Sequence, residues 1–123
     1  MAYKSNNEVL TSAQRGASTG YSNYINASSY AYASMVIYIT AKSGTPTLDV
    51  SLQCSPIDPA LDSTKWSTVY QELQITNAHL SAGAPWNFRG HRQVDFAGWL
   101  RVVYTVGGTS TPKLTFSVNI ELK

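Results

Sequence analysis

The chain has 123 residues, a length that allows one hydrophobic core and one domain. Only 13% of the residues are charged, about half the usual share, and the formal net charge is +2. This balance excludes a nucleic-acid surface that depends on charge alone, and no apolar run reaches the roughly 20 residues of a membrane span. Serine, threonine and tyrosine replace the missing charges, so we expect a surface rich in hydroxyl groups.

The first 20 residues differ in character from the rest of the chain. They are small and polar apart from one apolar pair, Val9-Leu10. We interpret residues 1–20 as a flexible arm or an edge strand, followed by a folded domain over residues 21–123. The N-terminus lacks the apolar segment of a signal peptide, and a single cysteine cannot close an internal disulfide. We therefore expect a soluble protein that is made in a cytosol and kept there or released by lysis.

Hydrophobic residues recur with a period of two along most of the domain, which predicts an all-β fold. Residues 35–41 and 100–106 are apolar on both faces, as in central strands covered on both sides or in strands whose second face meets a partner. Residues 48–54 and 114–122 alternate strictly, as strands with one buried face do. The alternation places Cys54 on the apolar side, so we interpret it as a small buried hydrophobe.

Weaker patterns complete the set of predicted elements. Pro59 stands where helices begin, and residues 59–65 are the segment that best suits a helical turn. Residues 55–65 and 77–90 contain several Pro and Gly residues and are predicted to be long surface excursions. Short strands are expected near residues 21–26, 67–74 and 91–96.

Two segments, residues 35–52 and 100–118, resemble each other. Each contains an apolar strand, a turn with Gly, Thr and Pro, and an alternating strand, so each is predicted to form a hairpin. Gly44 and the pair Gly107-Gly108 supply the backbone freedom at the bends. Two such hairpins in a small domain favour an antiparallel sandwich or jelly roll with one hairpin in each sheet. The likeness reflects either a duplication or the general chemistry of hairpins.

Catalytic and metal-binding groups form no recognisable pattern in the sequence. His79 and His91 lack the spacing of zinc ligands, and no serine lies in a nucleophile-elbow motif. Asp58 and Asp62 flank a turn without the dense oxygen ligands of a calcium loop, so turn formation explains both. We therefore expect no enzymatic activity, no catalytic residue, no cofactor and no bound metal.

Aromatic and basic residues interleave between Trp86 and Arg92. Trp and Arg dominate binding hot spots, so this segment is a candidate protein interface. A loop with Trp86 as a plug over the sheet edge is an equal alternative, and a single-strand nucleic-acid groove is a weaker one, because the other cations are scattered. A further candidate site for stacking on sugars consists of Trp66, Trp86 and Trp99.

Three motifs in residues 35–123 carry a resemblance to known proteins. In chain order they are SGTPTLDVSLQCSP, the tryptophan of DSTKWSTV, and the ending GWLRVVYTVGGTSTPKLTFSVNIELK. In this order they resemble small all-β structural proteins from the virions of tailed bacteriophages. The motifs are strand patterns and not catalytic signatures, and the loops SPIDPALDSTKW and AHLSAGAPWNFRGHR match no pattern of that group.

The resemblance implies a capsid decoration protein on the outside of a phage head, assembled in the host cytoplasm. Such proteins are often trimers that clamp capsid subunits, so we expect a homotrimer bound to the major capsid protein, with no membrane or nucleic-acid partner. A neck or tail position in the virion, and a carbohydrate-binding module, stay open as alternatives. The composition of the arm and of the 86–92 segment predicts contacts with subunits or capsid at Val9, Leu10, Arg15, Trp86, Phe88, Arg89 and Arg92.

Overall fold

This computed structural model describes residues 5–89 and 98–123, with only the backbone at Arg89. The described residues form seven β-strands. The all-β prediction is confirmed. A short 3₁₀ helix at Asn77–Leu80 is the one helix in the part of the chain that the structure describes. The strands are β1 (Ser5–Gly16), β2 (Ser18–Tyr21), β3 (Ile25–Asn26), β4 (Ala33–Ser55), β5 (Ser67–Gln71), β6 (Trp86–Arg89) and β7 (Trp99–Leu122).

The strands β4 and β7 form a long two-stranded antiparallel ribbon. Their pairing begins with Ala33 opposite Leu122 and continues to Ser55 opposite Trp99. The other side of β7 pairs with β1, β2 and β3, and the other side of β4 pairs with β5 and β6. The runs that the sequence shows as apolar on both faces belong to β4 and β7, which are central in the strand pairing. Only one face of the first run is buried in the described structure, since Tyr38 on its other face is 40% exposed, so coverage on both sides is not found there.

The ribbon folds over on itself near its middle. Tyr104 and Phe116 both belong to β7, and a straight strand would separate them by about 40 Å. Their ring centroids instead lie 5.4 Å apart in an edge-to-face contact. The two halves of the ribbon therefore face each other across a shared core, to which Ile37 contributes from one half and Leu52 and Val102 from the other.

Each half of the ribbon is the centre of one layer. Layer A contains, in spatial order, β1, residues 113–122 of β7, residues 33–43 of β4, and β6. Layer B contains β2 with β3, residues 99–109 of β7, residues 45–55 of β4, and β5. If each half of the ribbon counts as a strand, and β2 with β3 as one, eight strands lie in two layers. This is the jelly-roll arrangement.

Two glycines allow the ribbon to fold. Gly44 in β4 has a φ of +69° and Gly108 in β7 has a φ of +111°, and residues other than glycine rarely adopt such values. A Cβ atom at Gly44 would collide with the carbonyl oxygen of Ser110, and one at Gly108 would collide with that of Thr45. Each glycine thus lets the opposite strand approach at the bend.

The predicted hairpins are wrong. Residues 35–52 and 100–118 do not fold back on themselves; each continues through its Gly-Thr-Pro segment, and the two segments pair with each other. Thr45 and Pro46 stay in register with Thr109 and Gly108 beyond the bend. The same turn-forming residues serve a bend in a ribbon and a chain reversal, so local composition does not separate the two outcomes.

The buried residues follow the alternation predicted for two segments. In the second half of β7, the residues that alternate inward are buried, from Leu114 to Leu122. In β4, Leu48, Val50 and Leu52 are buried in the same way, and Cys54 follows them with 6% of its surface exposed. The interpretation of Cys54 as a small buried hydrophobe is confirmed, and its Sγ lies 3.9 Å from the Ser67 hydroxyl.

The weaker predicted elements have mixed outcomes. The first 20 residues were interpreted as a flexible arm or an edge strand, and Ser5–Gly16 forms the edge strand β1. The strand expected near residues 21–26 is divided between β2 and β3, and that near 67–74 ends at Gln71. The amides of Leu61 and Asp62 both donate to the Asp58 carbonyl, which makes one helical turn within the predicted segment. The strand expected at residues 91–96 lies outside the described residues.

Candidate functional site

The apolar pair of the N-terminal segment lies in the core of the chain itself. Val9 and Leu10 are only 2% and 8% exposed. Register shifts in the pairing of β1 with β7, on either side of Leu10, mark bulges that allow two successive side chains to turn inward. In this conformation neither side chain is available to a neighbour, so any contact through β1 has to use its other residues.

Arg15 also makes its contacts within the chain. Its guanidinium donates to the carbonyl oxygens of Thr11 and Phe116, at 2.7 Å each, and to that of Ala13 at 3.1 Å. The same group lies over the Phe116 and Tyr104 rings, 4.8 and 5.4 Å from their centroids. Arg15 therefore ties β1 to the core, and few of its donors are left for a partner.

The segment that begins at Trp86 is a strand at its start and not a loop. Trp86 and Phe88 pair with Ile39 and Ile37 of β4, and both rings pack partly buried against the core. The Trp86 indole donates to the Ala82 carbonyl at 2.9 Å. The alternative of a loop with Trp86 as a plug over the sheet edge is therefore wrong in its loop, because Trp86 begins a strand that extends the sheet. The alternation of aromatic and polar residues in Trp-Asn-Phe-Arg was the signal for this strand.

The two segments predicted to contact neighbours lie at opposite edges of layer A. β1 pairs along one side with β7, and β6 pairs along one side with β4. Within the described residues, no further strand pairs with the outer side of either one. The backbone of Arg89 belongs to the β6 edge, and Arg92 lies outside the described residues. The fold of the chain does not bring these two segments together.

A cluster of aromatic rings covers part of the outer face of layer B. The Tyr24 ring lies 6.3 Å from that of Trp66 and 5.8 Å from that of Trp99, at angles of 49° and 72°. The Arg101 guanidinium lies 4.3 Å from the centroids of both Trp66 and Tyr21. Cation–π contacts and tilted ring contacts join all five side chains, which we call the Arg101 cluster.

Arg101 is held in place and remains charged. Its Nε donates to the Gln53 side-chain oxygen at 2.8 Å, and Gln53 is its cross-strand partner in β4. Partial burial lowers the pKa of Arg101, and the neighbouring Tyr21 acts in the opposite direction. An arginine keeps its proton at neutral pH in either case. The cluster therefore presents a fixed positive charge among rings.

The sugar-stacking candidates are divided by the fold. Trp66 and Trp99 meet in the Arg101 cluster through Tyr24, whereas Trp86 belongs to β6 in layer A. The sequence interpretation missed Tyr24 and Arg101. The signal was weak because Trp66 lies in a loop, and the cluster draws on three separate segments of the chain.

The outer face of layer A is polar by comparison. A shallow groove there is lined by Val36 and Tyr38 among amide, hydroxyl and carboxylate groups. The Asn119 amide donates to Asn6 at 3.0 Å across the β1–β7 pair. Glu8 contributes a carboxylate to the same groove. This face can hydrogen-bond to a partner but offers little apolar area.

Of the groups weighed for catalysis or metal binding, His79, Asp58 and Asp62 have structural roles, and His91 lies outside the described residues. His79 accepts a hydrogen bond from the Thr76 amide at 2.9 Å and caps the 3₁₀ helix. Asp58 and Asp62 accept from the amides of Ala60 and Thr64, at 2.9 Å each, as the turn interpretation predicts. Within residues 5–89 and 98–123, no three His, Cys, Asp or Glu side chains gather as metal ligands. The same residues include no helix long and apolar enough to cross a membrane.

Comparison with known proteins identifies the fold. No protein-family model and no curated protein matches the chain. A crystal structure of the viral particle of infectious bursal disease virus shares the fold with a TM-score of 0.66 and 8% identity, over 98% of this chain and 30% of that chain. The VP2 subviral particle of the same virus gives a TM-score of 0.55 and 11% identity, over 98% and 32%. The chain thus spans about a third of these viral proteins, and identities this low establish the fold alone.

Proposed function

We propose that the chain is a non-enzymatic structural protein of a viral particle. The observation that supports this most is the jelly roll itself, because it matches the structure of a viral particle over 98% of the chain. Jelly rolls also occur in lectin domains and cupins, so the fold supports several functions. The roles of His79, Asp58 and Asp62 in capping and turns favour a structural protein over an enzyme.

The proposed place in the particle is the outer surface of the capsid, as a decoration protein of a tailed bacteriophage. The phage-like motifs described above support this placement, and they lie in the long strands β4 and β7 and in the loop before β5. The polar outer face of layer A, with its amide and hydroxyl groups, suits contact with the major capsid protein. A neck or tail position in the virion is the alternative.

The proposed oligomer is a trimer in which the β1 edge of one subunit meets the β6 edge of the next. A contact between two different edges is heterologous and closes into a ring when the rotation is right. No further strand pairs with the outer side of either edge in the described residues, and added strand pairing would supply main-chain hydrogen bonds. Ala13 and Gln14 on β1 and Asn87 on β6 have exposed side chains at these edges.

Purified protein tests the oligomer directly. We expect sedimentation at micromolar concentration to give a species of three times the chain mass of 13.4 kDa. Gln14→Lys with Ala13→Lys, or Asn87→Lys, should yield monomers, because charges on an edge oppose strand addition. Leu61→Lys, at a side chain that is 82% exposed outside both edges, is the control and should remain trimeric. A wild-type monomer would contradict this arrangement.

The place of the chain in the virion can be tested on particles purified from a lysate in which the chain is present. We expect mass spectrometry to find the chain in purified particles, and external protease to remove it while the major capsid protein stays intact. Chain that is protected from protease in intact particles would contradict the outer surface. Absence from particles altogether would contradict the virion role, and chain that separates with tails would support the alternative position.

A further inference from the structure

The Arg101 guanidinium has donors that its own subunit does not use. Its Nε bond to Gln53 fixes the plane of the group, and Tyr21 and Trp66 contact it through their rings. No hydrogen bond from Nη1 or Nη2 joins Arg101 to another of the described residues, and the side chain is only partly buried. Ring contacts cover the faces of a guanidinium and leave its in-plane N–H groups free to bind a planar acceptor.

A carboxylate is the acceptor that this geometry suits best. Two parallel N–H groups of arginine bind the two oxygens of a carboxylate together, in shorter and stronger bonds than neutral pairs form. The position of Arg101 is already fixed before a ligand arrives, so little side-chain freedom is lost on binding.

The rings around Arg101 indicate what carries the carboxylate. Tyr21 and Tyr24 are 59% and 46% exposed, and the tilt between Tyr24 and its neighbours Trp66 and Trp99 makes a corner in place of a flat surface. The C–H face of a sugar ring stacks on such aromatic rings, while tyrosine hydroxyls and the side chain of Gln53 can meet its hydroxyl groups.

We propose that the Arg101 cluster binds saccharides that bear a carboxylate, with Arg101 holding the carboxylate and Tyr21, Tyr24 and Trp66 contacting the sugar ring. An acidic segment of a protein is the competing ligand. The exposed apolar side chains of the cluster are all aromatic, whereas the exposed aliphatic ones, Ile57, Leu61 and Leu73, are not part of it. A protein-binding surface would combine aromatic or arginine side chains with a wider apolar core, so a saccharide is favoured over a protein segment as the ligand. This site is independent of the proposed virion role.

Titration of tryptophan fluorescence tests the site, because Trp66 and Trp99 lie within it. The probes are 3′-sialyllactose and trigalacturonic acid, with lactose and the methyl ester of trigalacturonic acid as their uncharged counterparts. We expect at least one acidic saccharide to bind at least tenfold more tightly than its uncharged counterpart. Peptides rich in Glu are expected not to bind at this site.

Variants of the cluster, compared with matched controls in layer A, separate a specific site from general charge. Arg101→Gln should weaken binding of the acidic saccharide by about tenfold or more, and Arg101→Lys should restore little of it, because lysine lacks the planar fork. Lys113→Gln removes the same charge at an exposed position in layer A and should leave binding unchanged. Tyr21→Ala should weaken binding, and Tyr38→Ala, an exposed tyrosine of layer A, should not. Circular dichroism confirms that each variant is folded.

Several results would overturn the proposal. They are failure of both acidic saccharides to bind the folded wild type, equal binding of the uncharged counterparts, full binding by folded Arg101→Gln, and tighter binding of the Glu-rich peptide than of either saccharide.

Discussion

The two layers share one core and differ on their outer faces. Layer A exposes amide, hydroxyl and carboxylate groups, among which Asn6, Glu8 and Asn119 line a shallow groove. Layer B exposes rings around a single guanidinium, that of Arg101. The strand alternation sends half of each strand into the core and leaves the other half free to vary. The fold therefore depends on the inward residues, which the two layers pack into one core. Binding depends on the outward residues, which differ between the layers.

The largest expected effect on stability comes from substitutions that remove core volume from one layer or the other. Ile39→Ala in layer A and Leu52→Ala in layer B each delete side chains that are 0% exposed. We expect each to lower the free energy of unfolding by about 2–5 kcal/mol, measured by denaturant titration. Because the core is shared, both variants should still unfold in a single transition. A second transition in either variant would show that the layers are stable separately.

The second prediction concerns the bend that joins the layers. Gly108→Ala places a side chain at positive φ and against the backbone of Thr45, so we expect a loss of at least about 1–3 kcal/mol in the free energy of unfolding. Gly83→Ala is the matched control, since a Cβ atom there would meet nothing within 4 Å. Equal stability of the two variants would contradict a ribbon folded at Gly108.

A smaller effect separates the outer faces. Tyr24 and Tyr38 are similarly exposed, at 46% and 40%, but only Tyr24 has ring contacts within the described residues. We expect Tyr24→Ala to cost about 0.5–1.5 kcal/mol and to change the tryptophan fluorescence of the folded protein. Tyr38→Ala should cost less and leave the fluorescence unchanged. The reverse order of the two effects would contradict the cluster in layer B.

The smallest effect is a pH dependence in the loop before β5. Hydrogen bonds from the Thr64 hydroxyl and amide lower the pKa of Asp62 below its ordinary value of 3.8, with the charge of Lys65 acting in the same direction. A lowered pKa gives stability that is complete above the ordinary value and is lost as the pH falls through the folded value. Asp62→Asn should therefore flatten the fall in the free energy of unfolding below about pH 4. An unchanged profile would show that this turn contributes nothing.

The sequence predicted the core better than the connections between strands. Alternation from Leu114 to Leu122 identified the inward face correctly, because a strand with one buried face has a period of two. The same reasoning placed Cys54 in the core. It failed at Gly44 and Gly108, since a positive φ marks a bend or a reversal equally, and only the long-range pairing of β4 with β7 decides between them.

The candidate sites were harder to predict, for a physical reason. Val9 and Arg15 were predicted to contact neighbours; in the structure both make contacts within the chain, and contact with a neighbour stays a prediction. The Arg101 cluster brings together Tyr21, Trp66 and Arg101 from distant parts of the chain, so no local pattern indicates it. Strand order determines which outward residues meet, and a single sequence gives strand order only indirectly.

The central claim is that this jelly roll is a structural subunit of a viral particle, and electron cryomicroscopy of particles that carry the chain tests it most directly. We predict jelly-roll density on the outer surface of the capsid, in groups of three, with the β1 edge of one subunit against the β6 edge of the next. Particles whose outer surface is fully explained by other proteins, with no density that fits this fold, would contradict the claim.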